Sequence, residues 1–332
     1  MKKQILFIML TGLLLTACGS NSESSSISSE ESSSSEAKNP YVVLFQQGQI
    51  PDRIFQYVYG DTFTNVHYVS SAQDAARVGI TGKNEADNNA LVDYVLLPQP
   101  ALTNVLANST AGAKLYKNVQ DDFIEKSGGL EITQASIFVN TNTNSALIDT
   151  FLDTIESEIK AAKENPALLK NAVQDLPETE LVNKFGVGKP ELLAKMVKDD
   201  AIRIGYKDAK TNKAAVDNFL KALKFTTADT NEGLYYEKQS TGMHATDISS
   251  LKIISPSGAP AFSLYNMFKS ENVEINADAT NVLSYLSIDS TKDIVIAPTN
   301  ALVAKVMKDK LTNFKIAANI TFGNFYLASV NQ

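Results

Sequence analysis

Few side chains in this chain can do covalent or acid–base chemistry. His67 and His244 are the only histidines among 332 residues, and Cys18 is the only cysteine. His67 lies in a strand-like run (65–70, NVHYVS), where a lone histidine is expected to be a structural residue. His244 lies in a polar stretch. The sequence has no GxSxG elbow, no HExxH, no GxxxxGK[ST] loop and no GxGxxG. The neighbouring acids Asp121 and Asp122 read as a solvated helix end. The chain is therefore read as a non-enzyme without cofactor or metal.

Binding chemistry is better represented. Five small polar loops follow strand-like runs: QQGQIPD (46–52), LPQP (97–100), SPSGAPA (255–261), APTNA (297–301) and TFGN (321–324). In open α/β sheets ligands bind beyond the carboxyl ends of strands, where helix starts expose backbone N–H groups. Five loops at one topological position predict one cleft. Its candidate ligand-binding residues are Gln47, Gln49, Pro98, Ser257, Ala259, Thr299, Asn300 and Asn324. Amides and hydroxyls would hydrogen-bond a solute, and Phe45, Phe262, Phe322 and Phe325 could wall it. Asp52 and Arg53 are the only charges in these loops, which predicts a neutral or singly charged solute; Arg53 is expected to face solvent or pair with Asp52.

The elements that must position these loops alternate in type. Strand-like runs at 41–45, 65–70 and 92–97 alternate with helical patterns at 53–59, 71–82 and 101–106. A strand at 135–139 precedes helices at 144–162, 191–198 and 212–224, with Pro166 opening another helix. After the polar linker 239–250 the alternation resumes: strands at 251–254, 292–296, 314–319 and 325–330, helices at 262–268 and 301–308. Strand–helix alternation predicts the α/β class with a largely parallel sheet. The hydrophobic share of 44 % suits a globular core, and a net charge of −7 argues against nucleic acid.

Cys18 ends the run Leu15-Thr16-Ala17-Cys18, after Lys2, Lys3 and the apolar stretch 5–15. A basic start, a short apolar core and small residues before a cut describe a secretory signal. The stretch is shorter than the ~20 apolar residues that span a bilayer. A cysteine at the cut resembles the bacterial lipoprotein box. That resemblance implies a signal peptide at 1–17 and lipidation of Cys18, with palmitate among its acyl chains. Location at the outer face of a cell membrane follows. The Ser-rich segment 18–39 cannot bury enough area to fold and is expected to be a disordered tether.

The body resembles the substrate-binding lipoproteins of ABC importers, of the type II group that includes nitrate, taurine, alkanesulfonate and thiamine-precursor binders. SPSGAPA (255–261), DIVIAPTNALVAKV (293–306) and FKIAANITFGNFYLAS (314–329) resemble that family's first lobe. VVLFQQGQIPDRIFQYV (42–58), VHYVSSAQDAARVGITG (66–82) and VDYVLLPQPALTNVLA (92–107) resemble its second. SGGLEITQASIFVN (127–140) and the helices up to YYEK (235–238) resemble its carboxyl-terminal third. The order differs from the family's, so the resemblance implies a two-lobed type II periplasmic-binding-protein-like fold, circularly permuted and cut between 329 and 42. Its parts are 40–131, resembling the second lobe; 132–238, resembling the carboxyl-terminal third; the linker 239–250; and 251–332, resembling the first lobe. One consequence is that 251–254 and 293–296 lie side by side in a parallel sheet. The implied function is capture of a small molecule between lobes and delivery to an ABC permease by a monomer. The alternatives are a sensor or adhesin on the same fold, or an enzyme of the thiamine-pyrimidine-synthesis type.

Overall fold

Two mixed sheets organise the computed structural model, which describes residues 39–239, 245 and 247–331. Cys18, the tether, His244 and most of the linker's first half lie outside the described residues. The strands are β1 (Tyr41–Phe45), β2 (Asn65–Val69), β3 (Lys83–Asn84), β4 (Ala90–Leu91), β5 (Tyr94–Pro98), β6 (Lys114–Asn118), β7 (Ala135–Asn140), β8 (Ile204–Asp208), β9 (Ile253–Pro256), β10 (Val273–Asn276), β11 (Ile294–Pro298), β12 (Phe314–Thr321) and β13 (Phe325–Ser329). The helices are α1 (Ile50–Tyr59), α2 (Ala72–Thr81), α3 (Ala101–Asn108), α4 (Val119–Lys126), α5 (Ser145–Glu164), α6 (Ala167–Val173), α7 (Glu178–Phe185), α8 (Pro190–Lys198), α9 (Lys213–Ala222), α10 (Ala279–Ser284) and α11 (Thr299–Asp309). None of these helices is long and apolar enough to cross a membrane.

The first sheet runs β2-β1-β5-β13-β6 and the second β10-β9-β11-β7-β12-β8; β3 and β4 form a separate small pair. In the first, β1 is parallel to β2 and β5, and β13 is antiparallel to β5 and β6. In the second, β9 is parallel to β10 and β11, and β7 is antiparallel to β11 and β12. Five positions of the two sheets thus share one order: a central parallel strand, its two parallel neighbours, an antiparallel insert, then one more strand; β8 adds a sixth to the second sheet. Each insert arrives from the other sheet. Residues 119–134 carry the chain from β6 to β7, and residues 322–324 carry it from β12 to β13. The expected adjacency is observed, with Ile253 opposite Ile294 and Ile254 opposite Val295.

Local chemistry accounts for these elements. The core of β1 is a β-branched and aromatic run, and all six residues of β7 are buried, as a strand covered on both faces requires. Ser71 caps α2 by accepting the Asp74 N–H, and Gly82 ends it at φ 68°. Phe151, Ile155, Ile159 and Ala162 put a buried stripe along α5. Pro166 precedes α6 as its cap.

Three sequence expectations need correction. The run 325–330 does not stay with 251–321: Gly323, at φ 102°, turns the chain so that β13 enters the first sheet. All five residues of β13 are buried there, which an edge position could not offer. The run 262–268 is not an α-helix. Ala259–Leu264 forms a short 3₁₀ segment after Gly258, and five of its six residues are buried. Asp121 and Asp122 are not merely solvated: Arg203 bonds Asp121, and the Tyr59 hydroxyl donates to Asp122.

Candidate functional site

Strand ends of both sheets meet along a seam at the two crossovers. Pro98 ends β5 opposite Phe325, the first residue of β13. The next residue, Gln99, donates its N–H to the Asn324 carbonyl (2.9 Å), and Asn324 Nδ2 donates to the Gln99 carbonyl (3.0 Å). Gln134 Nε2 donates to Asn324 Oδ1 at 2.9 Å, which ties the first crossover to the second. The Thr299 N–H donates to the Gln134 carbonyl at 3.0 Å, adding the start of α11. Across the same seam Asn300 Nδ2 donates to Gln49 Oε1 at 3.2 Å, joining the first turn of α11, just after β11, to the loop after β1. Pro100 reaches the second sheet's helices: a Cβ on Gly186 would lie 2.6 Å from its Cγ, and one on Gly258 3.8 Å from its Cδ.

Five of the eight expected residues are therefore brought together: Gln49, Pro98, Thr299, Asn300 and Asn324. Their availability differs. Asn324 is 2 % exposed, and its amide is engaged at both ends. Thr299 is fully buried, and its hydroxyl pairs with the Ser136 hydroxyl at 2.7 Å, so it supports the seam from beneath. Asn300 is 6 % exposed, and its Oδ1 has no partner. Gln49 is exposed.

The other three fall elsewhere. Gln47 is exposed on its turn. Ser257 is held by its N–H on the Asn276 carbonyl. Ala259 is packed with Phe185 and Phe262 in an apolar cluster, because the chain bends inward after Gly258. The aromatics mostly fill core as well. Phe45 and Phe325 meet at 6.3 Å, and Phe262 stands edge-on to Phe185 at 5.8 Å. Arg53 does not pair with Asp52; its guanidinium lies 5.9 Å from the Phe225 ring. Asp52 instead accepts from the Gly48 N–H and the Tyr68 hydroxyl. His67 stacks on Tyr41 at 4.0 Å and bonds Asn65.

Sequence reasoning missed Gln99, Pro100, Gln134 and Gly186. Gln99 and Pro100 stood inside the LPQP loop, unweighted. Gln134 precedes an antiparallel strand, so the rule of parallel strand ends could not select it. Gly186 belongs to a helix end whose partner is 86 positions away in sequence (Pro100).

A polar chain runs from buried Ser136 and Asn319 outward to the surface. Asn319 Nδ2 donates to Ser136 Oγ at 2.9 Å, and Asn212 Nδ2 donates to Asn319 Oδ1 at 3.0 Å and to Glu131 Oε1 at 2.9 Å. Lys207 closes it on the other carboxylate oxygen of Glu131. Glu131 and Lys207 line a cavity of about 740 Å³ whose apolar walls include Ile124, Ile132, Ile159 and Phe322. This cavity is lined by α4, α5 and β8 and by Ile132 and Phe322 of the two crossovers. Burial pushes its Tyr206 phenol up to about 12. Among the described residues no group of three His, Cys, Asp or Glu side chains could hold a metal.

No family model, curated protein or solved structure matches this chain. Amides, carbonyls and one helix start can hold and orient a polar solute. Nothing in the seam is arranged as a nucleophile beside a base.

Proposed function

We propose that this protein is a solute-binding lipoprotein, held on the outer face of a cell membrane through Cys18, that captures a small molecule and delivers it to an ABC permease. In this reading each sheet is the centre of one lobe of a type II periplasmic-binding-protein-like fold, and 119–134 and 322–324 form the hinge. The observation that carries it is the Asn300–Gln49 bond, which links the segments at the carboxyl ends of parallel strands in different sheets. Ligands in α/β proteins occupy that position, and hinge closure around a ligand is a familiar two-state switch.

The permuted order is supported by two features. Five positions of each sheet repeat one strand order, yet β9 to β12, from the segment that resembles the family's first lobe, follow β1 to β6, from the segment that resembles its second. The ends of the folded chain also adjoin. The Tyr41 N–H donates to Asp93 Oδ2 at 2.9 Å, and the Val330 N–H donates to the Asp93 carbonyl at 2.9 Å. Neighbouring ends are what make a circular permutation tolerable.

Thermal shift of the full chain in detergent tests the binding reading. Nitrate, taurine, alkanesulfonates, pyrimidines and amino acids form the panel. A ligand at 100 times its Kd adds ~2.7 kcal/mol. A panel that leaves the melting temperature unmoved rejects solute capture. The anchor has a separate test: Cys18→Ala should abolish incorporation of labelled palmitate and release the protein from the membrane fraction.

A further inference from the structure

We propose that the cavity lined by α4, α5, β8 and the two crossovers binds a dipeptide with apolar side chains. This site is separate from the seam of Gln49 and Asn300 and goes beyond the solute-capture reading.

The cavity measures about 740 Å³, a size typical of small-molecule sites, and its walls are largely apolar. Ile132, Ile159 and Ile204 are buried, and Ile124 and Phe322 are half-buried. Gly205 shapes one wall. A Cβ there would stand 2.9 Å from Phe322 Cε2, so the ring lies directly on the backbone of β8.

Most of the charge around the cavity is already paired. Lys163 meets Asp200 at 3.8 Å, and Lys207 bonds Glu131. Arg203 bonds Asp121, and Glu156 meets Lys238 at 3.7 Å. Two lining residues remain, Lys160 and Glu164. Neither makes an ion pair or a side-chain hydrogen bond among the described residues. They stand four positions apart on α5 with the lysine first, which is the weaker orientation for such a pair. A third lining group is also unengaged. The Tyr206 oxygen is buried and has no hydrogen-bond partner. Lys238 lies over that ring, 5.4 Å from its centroid, and bonds Asp153.

These three groups set the chemistry of the occupant. Lys160 can hold a carboxylate, Glu164 an ammonium, and the Tyr206 hydroxyl can donate to a carbonyl between them. A ligand with one charge would leave either Lys160 or Glu164 unanswered. A free amino acid carries both charges on one carbon and has no internal carbonyl. Residues four apart on a helix have Cβ atoms about 5–6 Å apart, and two extended residues span about 7 Å. A dipeptide therefore matches the spacing, and the isoleucine and phenylalanine walls suit apolar side chains. Such an occupant would touch Ile132 and Phe322 and so brace both crossovers.

Isothermal titration of the full chain in detergent at neutral pH tests this, with hydrogen exchange to locate the ligand. The probes are leucylphenylalanine, its N-acetyl amide, which lacks both charges, and glycylglycine, which lacks apolar side chains. Leucylphenylalanine should bind, the other two at least about tenfold more weakly, and exchange should slow over 124–132, 159–164 and 203–207. Lys160→Ala and Glu164→Ala, at exposed positions that leave the fold intact, should each weaken binding by about tenfold. No binding of leucylphenylalanine overturns the proposal. So does equal binding of either control, or unchanged affinity in both variants. Protection confined to 46–52 and 297–301 places the peptide in the seam, which overturns this site and supports solute capture.

Discussion

Gln99 and Asn324 hold each other by a reciprocal pair of hydrogen bonds, 2.9 Å from the Gln99 N–H to the Asn324 carbonyl and 3.0 Å from Asn324 Nδ2 to the Gln99 carbonyl. The pair fastens the end of β5 to the turn through which the chain passes from the second sheet to the first. Asn324 also receives Gln134 from the other crossover. One buried side chain therefore braces both passages between the sheets.

Replacing that side chain should be expensive. Asn324→Ala strips the Gln99 carbonyl and Gln134 Nε2 of their partners in a site closed to water. The expected loss is about 2–3 kcal/mol. It would be read as a lower urea midpoint at unchanged slope. A midpoint within error of the parent would show that the brace carries no load.

Gly186 and Gly112 offer a matched comparison. Their φ angles are 72° and 70°, so alanine meets similar backbone strain at each. A Cβ on Gly186 lies 2.6 Å from Pro100 Cγ, whereas one on Gly112 finds nothing within 4 Å. A proline ring cannot rotate aside as a flexible side chain can. Gly186→Ala should cost ~1–2 kcal/mol more than Gly112→Ala, and small-angle scattering should show a larger radius of gyration for Gly186→Ala alone. Equal costs would refute the close approach of Pro100.

Glu158 sets a pH dependence. Burial raises its carboxyl above the ordinary glutamate range, only partly offset by the hydrogen bond from Asn266. The folded state therefore holds this proton more tightly than the unfolded chain does. Stability should fall as pH rises from the ordinary glutamate value of ~4.3 through the raised one. Glu158→Gln should flatten that part of the profile and stabilise the protein at neutral pH. Parallel pH profiles for parent and variant would reject this.

The sequence revealed the α/β class through its alternation, and the strand ends through loops rich in Gly, Pro, Ser and Asn. It also located the helix start at Ser71 and the helix over 144–162. Strands β6 (KLYKN), β8 (IGYKD) and β10 (VEIN) were illegible. Each lies at a sheet edge, where charged residues are tolerated and the apolar run that marks a central strand is absent. The sheet assignment of β13 was illegible for another reason. Its largely apolar composition suits any buried slot, and Gly323 chooses which. In the seam, the loop residues were readable by type, but the division between free and engaged amides was not. That division depends on Gln99 and Gln134, whose partners lie 225 and 190 positions away.

Asp93 has a mechanical consequence. It receives the Tyr41 N–H on its side chain and the Val330 N–H on its carbonyl, so both ends of the folded chain are moored to one residue beside β5. A pull between residues 39 and 331 would load β1 against β5 and β13 at the pole remote from Gln49 and Asn300. Force applied at the two ends would thus bypass the seam, and the Asn300–Gln49 bond would carry none of it.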